Sequence, residues 1–295
     1  MSTTTDGPGG ENELGGGSGR GRVTGAVAVR AIAVRAVPKS EHTADELEDA
    51  CWPRESTGAV AVPVLRLALA DGVSDSYLAG AWAREIVRAF GTRAPVSATI
   101  DAGEFTEVLQ RLCAAWQPRL RRYVRVEREN RDLPWWEKRK LSSGSAATVL
   151  AVCVHGDGTW TAAALGDTCV FHLRDRRVLR AFPLEDARRF DSAPDTVGSV
   201  GVADWAALGR RVRLHRGTWS PGDTFVLASD ALAEWALRTG SPWRELDAVV
   251  DAETDGPGGP GEPDGRGTFS RWVAGLRTTG AMRDDDVCAV RLTLE

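Results

Sequence analysis

Acidic residues stand at the ends of apolar runs in this chain. Asp71 closes the run Val62–Ala70 and is followed by Gly72. Asp230 follows Thr224–Ser229, Asp285 and Asp286 immediately precede Val287–Leu292, and Asp49 stands just before Ala50-Cys51-Trp52. A strand end is a rigid platform, and side chains placed there project into a shared cleft. Carboxylates that face one another across such a cleft repel and raise each other's pKa. A divalent cation is the usual compensation, and hard oxygen ligands select Mg²⁺ or Mn²⁺ over zinc. The other metal-binding residue types offer no competing set. The four histidines (His42, His155, His172, His215) show no HExxH spacing, and the five cysteines (Cys51, Cys113, Cys153, Cys169, Cys288) form no CxxC. Each acidic signal alone is common: Asp-Gly after a strand is most often a tight turn, and Asp285–Asp286 would serve equally as guards of a strand edge.

The elements that must carry these residues are read from periodicity. Ala26–Val37 and Val62–Ala70 are apolar without helical spacing and read as strands. Ser76–Phe90 reads as a helix, because Leu78, Trp82, Ile86 and Phe90 recur every four residues. Ala102–Arg131 is a longer helix whose Arg-dense end suits the negative pole of the helix dipole and reads as a solvated face. Ala146–Val154, Trp160–Ala164, Thr168–Arg174 and Val178–Phe182 read as an antiparallel meander. Arg210–His215 and Thr224–Ala228 read as two more strands with Ser220–Asp223 as the turn between them. Ala231–Arg238 and Phe269–Leu276 are helical, and Val287–Leu294 is a last strand. Strand blocks flanking helices predict an α+β fold. Trp52, Trp82, Trp116, Trp235 and Trp272 fall at core-like positions. Trp135–Trp136 follow no clear period and suit either packing or a surface contact for a partner or substrate, and Lys138, Arg139 and Lys140 beside them suit either a solvated face or attraction of a phosphorylated peptide.

Composition sets the frame. The chain has 295 residues, enough for one large domain with a tail. Residues 1–22 are polar and Gly-rich and read as a disordered tail, leaving a domain over 23–295 in which the Pro/Gly-rich segment 251–267 is a surface loop. A net charge of −4 argues against a nucleic-acid binder driven by bulk charge. No apolar run reaches the length of a membrane span, and the N-terminus does not read as a signal peptide. Scattered cysteines in odd number fit a reducing cytoplasm.

In order along the chain stand Glu46–Ala50 (ELEDA), Ala70–Gly72 (ADG), Ser143–Leu150 (SGSAATVL), Leu165–Arg174 (LGDTCVFHLR), Gly222–Leu232 (GDTFVLASDAL) and Arg283–Val290 (RDDDVCAV). In content, order and approximate spacing this series resembles the metal-dependent protein phosphatases of the 2C type, and its divergent bacterial branch above all. The resemblance covers roughly residues 25–295. It implies an α/β/β/α sandwich, two antiparallel sheets flanked by helices. It implies two Mg²⁺ or Mn²⁺ ions and a metal set in which Asp49 reaches an ion or its water, Asp71 bridges the pair, the Gly72 carbonyl completes one, and Asp230 and Asp285 supply the rest. These four aspartates are the catalytic residues it implies. Glu48 matches the acidic neighbour of the first aspartate, Asp286 stands where asparagine is usual, and Gly166–Asp167 matches a turn read as structural. Gly144 is read as permitting close sheet packing. The implied reaction is hydrolysis of a phosphoserine or phosphothreonine ester in a protein by a metal-activated water, with a Ser/Thr kinase as the opposing partner and neither nucleic acid nor membrane involved.

Three departures bear on that reading. The arginine that grips the substrate phosphate in the family falls at Ala44 here, and the nearest basic residues are Lys39, His42 and Arg54. The family's SDG is Ser229-Asp230-Ala231, and the glycines usual after Asp-Gly are replaced by Ser74–Asp75. Two alternatives therefore stand beside an active protein phosphatase: a pseudophosphatase acting as a regulatory binding module, and a hydrolase of small phosphoesters.

Overall fold

The computed structural model describes residues 25–93, 100–127, 134–190, 193–251 and 267–295. The tail expected over 1–22 and most of the loop expected over 251–267 lie outside the described residues. Thirteen strands and seven α-helices appear among the described residues. The chain runs β1 (Val27–Val37), β2 (Ala50–Trp52), β3 (Val60–Val62), β4 (Val64–Ala70), α1 (Ala79–Arg93), α2 (Ala102–Glu127) and α3 (Trp135–Ser143). It continues through β5 (Ala146–Ala147), β6 (Val149–His155), β7 (Thr159–Leu165), β8 (Cys169–Arg174), β9 (Arg177–Phe182) and β10 (Val197–Gly198). Then follow α4 (Trp205–Arg211), β11 (Arg213–Thr218), β12 (Thr224–Ala228), α5 (Asp230–Thr239), α6 (Trp243–Asp251), α7 (Thr268–Thr278) and β13 (Val287–Leu294).

Two antiparallel sheets stack face to face. One has the order β3-β1-β13-β12-β8-β9, the other β11-β7-β6-β4-β2, and β5 pairs with β10 beside them. Side chains alternate along each strand, and here both faces are buried. Leu67 and Leu69 of β4 and Phe225 and Leu227 of β12 point between the sheets, where they meet Val152, Val170 and Val290. Ala68 and Ala70 of β4 face the other way, against Trp82 and Ile86 of α1 and Phe105 and Leu109 of α2. Val226 and Ala228 of β12 face Trp235 of α5, Trp243 and Leu246 of α6 and Phe269 of α7. The result is the α/β/β/α layering expected, and it explains why these strands read as nearly continuous apolar runs.

Two local readings are corrected. The segment expected as one strand over Arg210–His215 begins inside α4, whose start is capped by the Asp204 carboxylate accepting from Ala207 N–H at 2.9 Å. The strand β11 that follows pairs with β7, whereas β12 pairs with β8 and β13, so Ser220–Asp223 joins two sheets and not a hairpin. The expected meander is likewise split: β6 pairs with β7 and β8 with β9, but the chain changes sheet between β7 and β8.

Candidate metal centre

Strand register gathers the acidic residues at one end of the sandwich. Ala50 pairs with Ala70, so Asp49 and Asp71 flank the same end of the β2–β4 ladder. Leu69 pairs with Leu150, and Val149 with Leu165, which carries that end on to Thr148 and Asp167. In the facing sheet Ala228 pairs with both Cys169 and Ala289, and this sets Asp230, at the start of α5, beside the segment that enters β13 at Asp285–Asp286.

Short hydrogen bonds lock the arrangement. Thr148 N–H donates to the Asp71 carbonyl at 2.8 Å, and Asp71 N–H donates to the Thr148 hydroxyl at 3.1 Å. The same hydroxyl lies 2.7 Å from that of Thr168, next to Asp167. Asp286 is buried and acts as a clamp: its Oδ1 accepts from Lys39 N–H at 2.8 Å and its Oδ2 from Glu48 N–H at 2.7 Å. Two donors occupy its two oxygens, which accounts for an aspartate where the family pattern has asparagine. Gly72 follows Asp71 where no side chain fits, since a Cβ there would lie 2.9 Å from the Glu48 carbonyl oxygen. Gly144, at φ +75°, sits where a Cβ would meet Val200 at 2.5 Å, in keeping with its expected packing role.

Carboxylate oxygens of Asp71, Asp167 and Asp230 all lie within 4.8 Å of one another. Asp167, expected as a turn residue, is thus part of the cluster. A signal for it existed, because it follows an apolar run as Asp71 and Asp230 do. Asp49 is 3% exposed, and neither of its carboxylate oxygens has a hydrogen-bond partner of ordinary geometry. The Ser229 hydroxyl nearby favours its charged form but accepts from Cys288 N–H at 2.9 Å. Burial, then repulsion from Asp71 and Asp286, pushes the Asp49 carboxyl well above the usual carboxylate range. Burial also raises Asp71, to about 7, helped by Asp167 and Asp285 and opposed by Arg283. Asp285 is half-buried and accepts from Asp286 N–H at 2.9 Å. It lies near enough to repel both Asp49 and Asp71, but of the four expected aspartates only Asp71 and Asp230 belong to the group of oxygens within 4.8 Å of one another.

Cationic side chains also touch this end. The Arg283 guanidinium pairs with Asp230 and lies 3.8 Å from Asp285 and 3.9 Å from Glu234. Lys39 Nζ donates to Glu48 Oε2 at 3.2 Å and to the Ser74 hydroxyl at 3.0 Å. Burial lowers the Lys39 pKa, but Glu48, Asp286 and Asp285 outweigh it and the amine is held charged. Lys39 stood among the basic residues nearest the phosphate position in the sequence, whereas nothing in the spacing marked Arg283.

The family model for protein phosphatase 2C matches residues 39–255, most of the chain. This chain belongs to the protein phosphatase 2C family. Among solved structures, it is similar to the catalytic domain of the serine/threonine protein phosphatase PstP in complex with two manganese ions. That likeness has 16% identity over 91% of this chain and 99% of that one, with a TM-score of 0.52. The serine/threonine phosphatase PstP/Ppp of Mycobacterium tuberculosis is similar at 17% identity, over 91% and 100% of the two chains, with a TM-score of 0.51. At such identities the likeness bears on the fold. No curated protein matches the chain. Within the protein phosphatase 2C fold, the carboxylates described above sit where strand ends from both sheets converge.

Proposed function

We propose that this protein is a Mg²⁺- or Mn²⁺-dependent phosphatase of phosphoserine and phosphothreonine in proteins. The observation that carries the reading is the group of Asp71, Asp167 and Asp230 oxygens within 4.8 Å of one another, beside the buried, unpartnered carboxylate of Asp49. A buried carboxylate without partners is costly unless a cation completes it. The donor set is oxygen only, which fits Mg²⁺ or Mn²⁺. Asp49, Asp71, the Gly72 carbonyl, Asp230 and Asp285 would hold two ions, and Asp167 joins this set. Bound there, the ions would supply an activated water and positive charge against the phosphoryl oxygens.

The chain's own residues do the positioning. Thr148 fixes Asp71 from both its backbone and its hydroxyl. Asp286 holds Lys39 and Glu48 at a set distance from β13, and thereby orients the segment leading to Asp49. The burial of Asp49 keeps water from competing for its oxygens. The five cysteines are buried and free of disulfides, which supports a reducing, cytoplasmic setting.

The test is hydrolysis of p-nitrophenyl phosphate and of a phosphothreonine peptide during a Mn²⁺ titration. Activity should require the ion and be lost in Asp71→Asn and Asp230→Asn; activity that persists in excess chelator, or unchanged in either variant, sinks the reading. A second reading is favoured by Ala44 at the phosphate position together with the Arg283–Asp230 contact. It is a pseudophosphatase that binds partner proteins. Partner binding in chelator, with no turnover in Mn²⁺, would select it.

A further inference from the structure

The acidic end of the sandwich continues outward along α3. Lys39 Nζ and the Ser74 hydroxyl both engage Glu48, next to Asp49, and the Ser74 carbonyl accepts from Lys140 Nζ at 3.3 Å. Glu137 is the buried residue of α3 and accepts from the Tyr77 hydroxyl at 3.1 Å. The helix is therefore held to the domain by its inner side and by Lys140. Trp136 lies four residues before Lys140, so the two share one helix face.

Trp135 is 75% exposed and Trp136 52%, whereas Trp82, Trp116, Trp160, Trp235 and Trp243 are buried. Large aromatic side chains on an otherwise charged helix do not serve the core, and at this exposure they suit recognition of a partner. One helical turn, about 5.4 Å, separates Lys140 from Trp136. Hydrogen bonds through Glu48, Ser74 and Lys140 link this helix to the residue next to Asp49.

We propose that the Trp136–Lys140 face of α3 docks the polypeptide flanking the phosphorylated residue, in a lane that runs from Lys39 past Ser74 and Lys140 to Trp136. The occupant is a phosphoprotein segment. Its phosphate, or an acidic neighbour, meets the lysine end, and an apolar or aromatic side chain of the same segment lies on Trp136. Two features select this occupant: the lane is continuous with the carboxylate cluster, and the Lys140 ammonium, which meets a carbonyl at Ser74 whereas Lys39 is paired with Glu48, complements a phosphorylated chain. Such a surface favours protein substrates over small phosphoesters. The inference rests on the phosphatase reading above.

The experiment uses the full chain with Trp135→Ala/Trp136→Ala and, as the conservative variant, Trp136→Phe. Substrates are p-nitrophenyl phosphate and phosphothreonine peptides carrying Phe at successive positions on either side. In the double alanine variant KM for the preferred Phe peptide should rise roughly tenfold, a cost usual for an aromatic contact, and Trp136→Phe should restore much of it. Values of kcat/KM for p-nitrophenyl phosphate and the calorimetric Mn²⁺ affinity should stay within about twofold. Peptide KM unchanged, or a parallel loss on both substrates, overturns the proposal. If the wild-type chain turns over neither substrate in Mn²⁺, the phosphatase reading fails on its own. Fluorescence anisotropy of a labelled phosphopeptide in chelator then decides the docking surface: binding lost in the double variant supports it, and equal or absent binding overturns it.

Discussion

Replacing Asp71 by Asn should make the metal-free protein more stable while removing its response to metal. Burial, Asp167 and Asp285 raise the Asp71 carboxyl from 3.8 to about 7, with Arg283 only partly offsetting them. The difference is about 3 pH units, each worth about 1.4 kcal/mol. The charged form thus costs the folded state up to about 4 kcal/mol near neutral pH, an upper bound because Asp71 keeps partial access to solvent. The folded-state value lies above the unfolded one, so this group's contribution to stability is full below about pH 3.8 and is lost as pH rises to about 7. Asn carries no such charge. In chelator at about pH 7.5, Asp71→Asn should therefore gain up to about 4 kcal/mol over wild type, roughly 10 °C in Tm for a domain of this size. The gain should shrink to about 2 kcal/mol at about pH 5. Mn²⁺ at about 100 times its Kd should add about 2.7 kcal/mol to wild type and nothing to the variant. Urea and thermal unfolding at the two pH values, with and without Mn²⁺, read all four cases. A variant no more stable than wild type in chelator at the higher pH, or one stabilised by Mn²⁺ as wild type is, would refute the claim that mutually repelling carboxylates form an ion site.

Two further substitutions probe the frame of the site. Asp286→Ala removes the acceptor for two half-buried backbone N–H groups, of Lys39 and Glu48, and should cost about 2–4 kcal/mol in urea unfolding with chelator present. Asp286→Asn, with one acceptor oxygen, should lose about half of that; a neutral result in both would show that the clamp contributes nothing. Gly72→Ala places a Cβ 2.9 Å from the backbone of Glu48 and of Ala79, so it should lose about 1–3 kcal/mol. An unchanged Tm for that variant would mean that the Asp71–Gly72 turn is looser than its packing implies.

Much of the candidate site was legible because strand period and residue type are local properties. Boundaries were clear where an apolar run ended sharply: Thr224–Ala228 and Val287–Leu294 have the bounds read from the sequence. Helix α6 was missed although Trp243, Leu246 and Val250 recur at helical spacing on its buried side, and helix α3 left a weaker signal. Helix α3 buries Glu137 and otherwise lies on the surface, so no apolar stripe repeats along it. The segment Arg210–His215 was misread because a one-turn boundary between α4 and β11 falls inside an apolar-polar alternation that suits either state.

The two-sheet sandwich was implied by the family resemblance, whereas residue order by itself determined the α+β class, the acids at strand ends and the choice of oxygen as the ligand atom. Each follows from side-chain chemistry and from spacing along the chain. Only the tertiary structure decided that β7 and β8 belong to different sheets, that Asp167 stands with Asp71 and Asp230, that Asp286 binds two backbone N–H groups as well as repelling Asp49, and that Arg283 and Lys39 supply nearby positive charge. Those facts depend on register between strands far apart in sequence, and a contact between distant residues leaves no period for the local pattern to show.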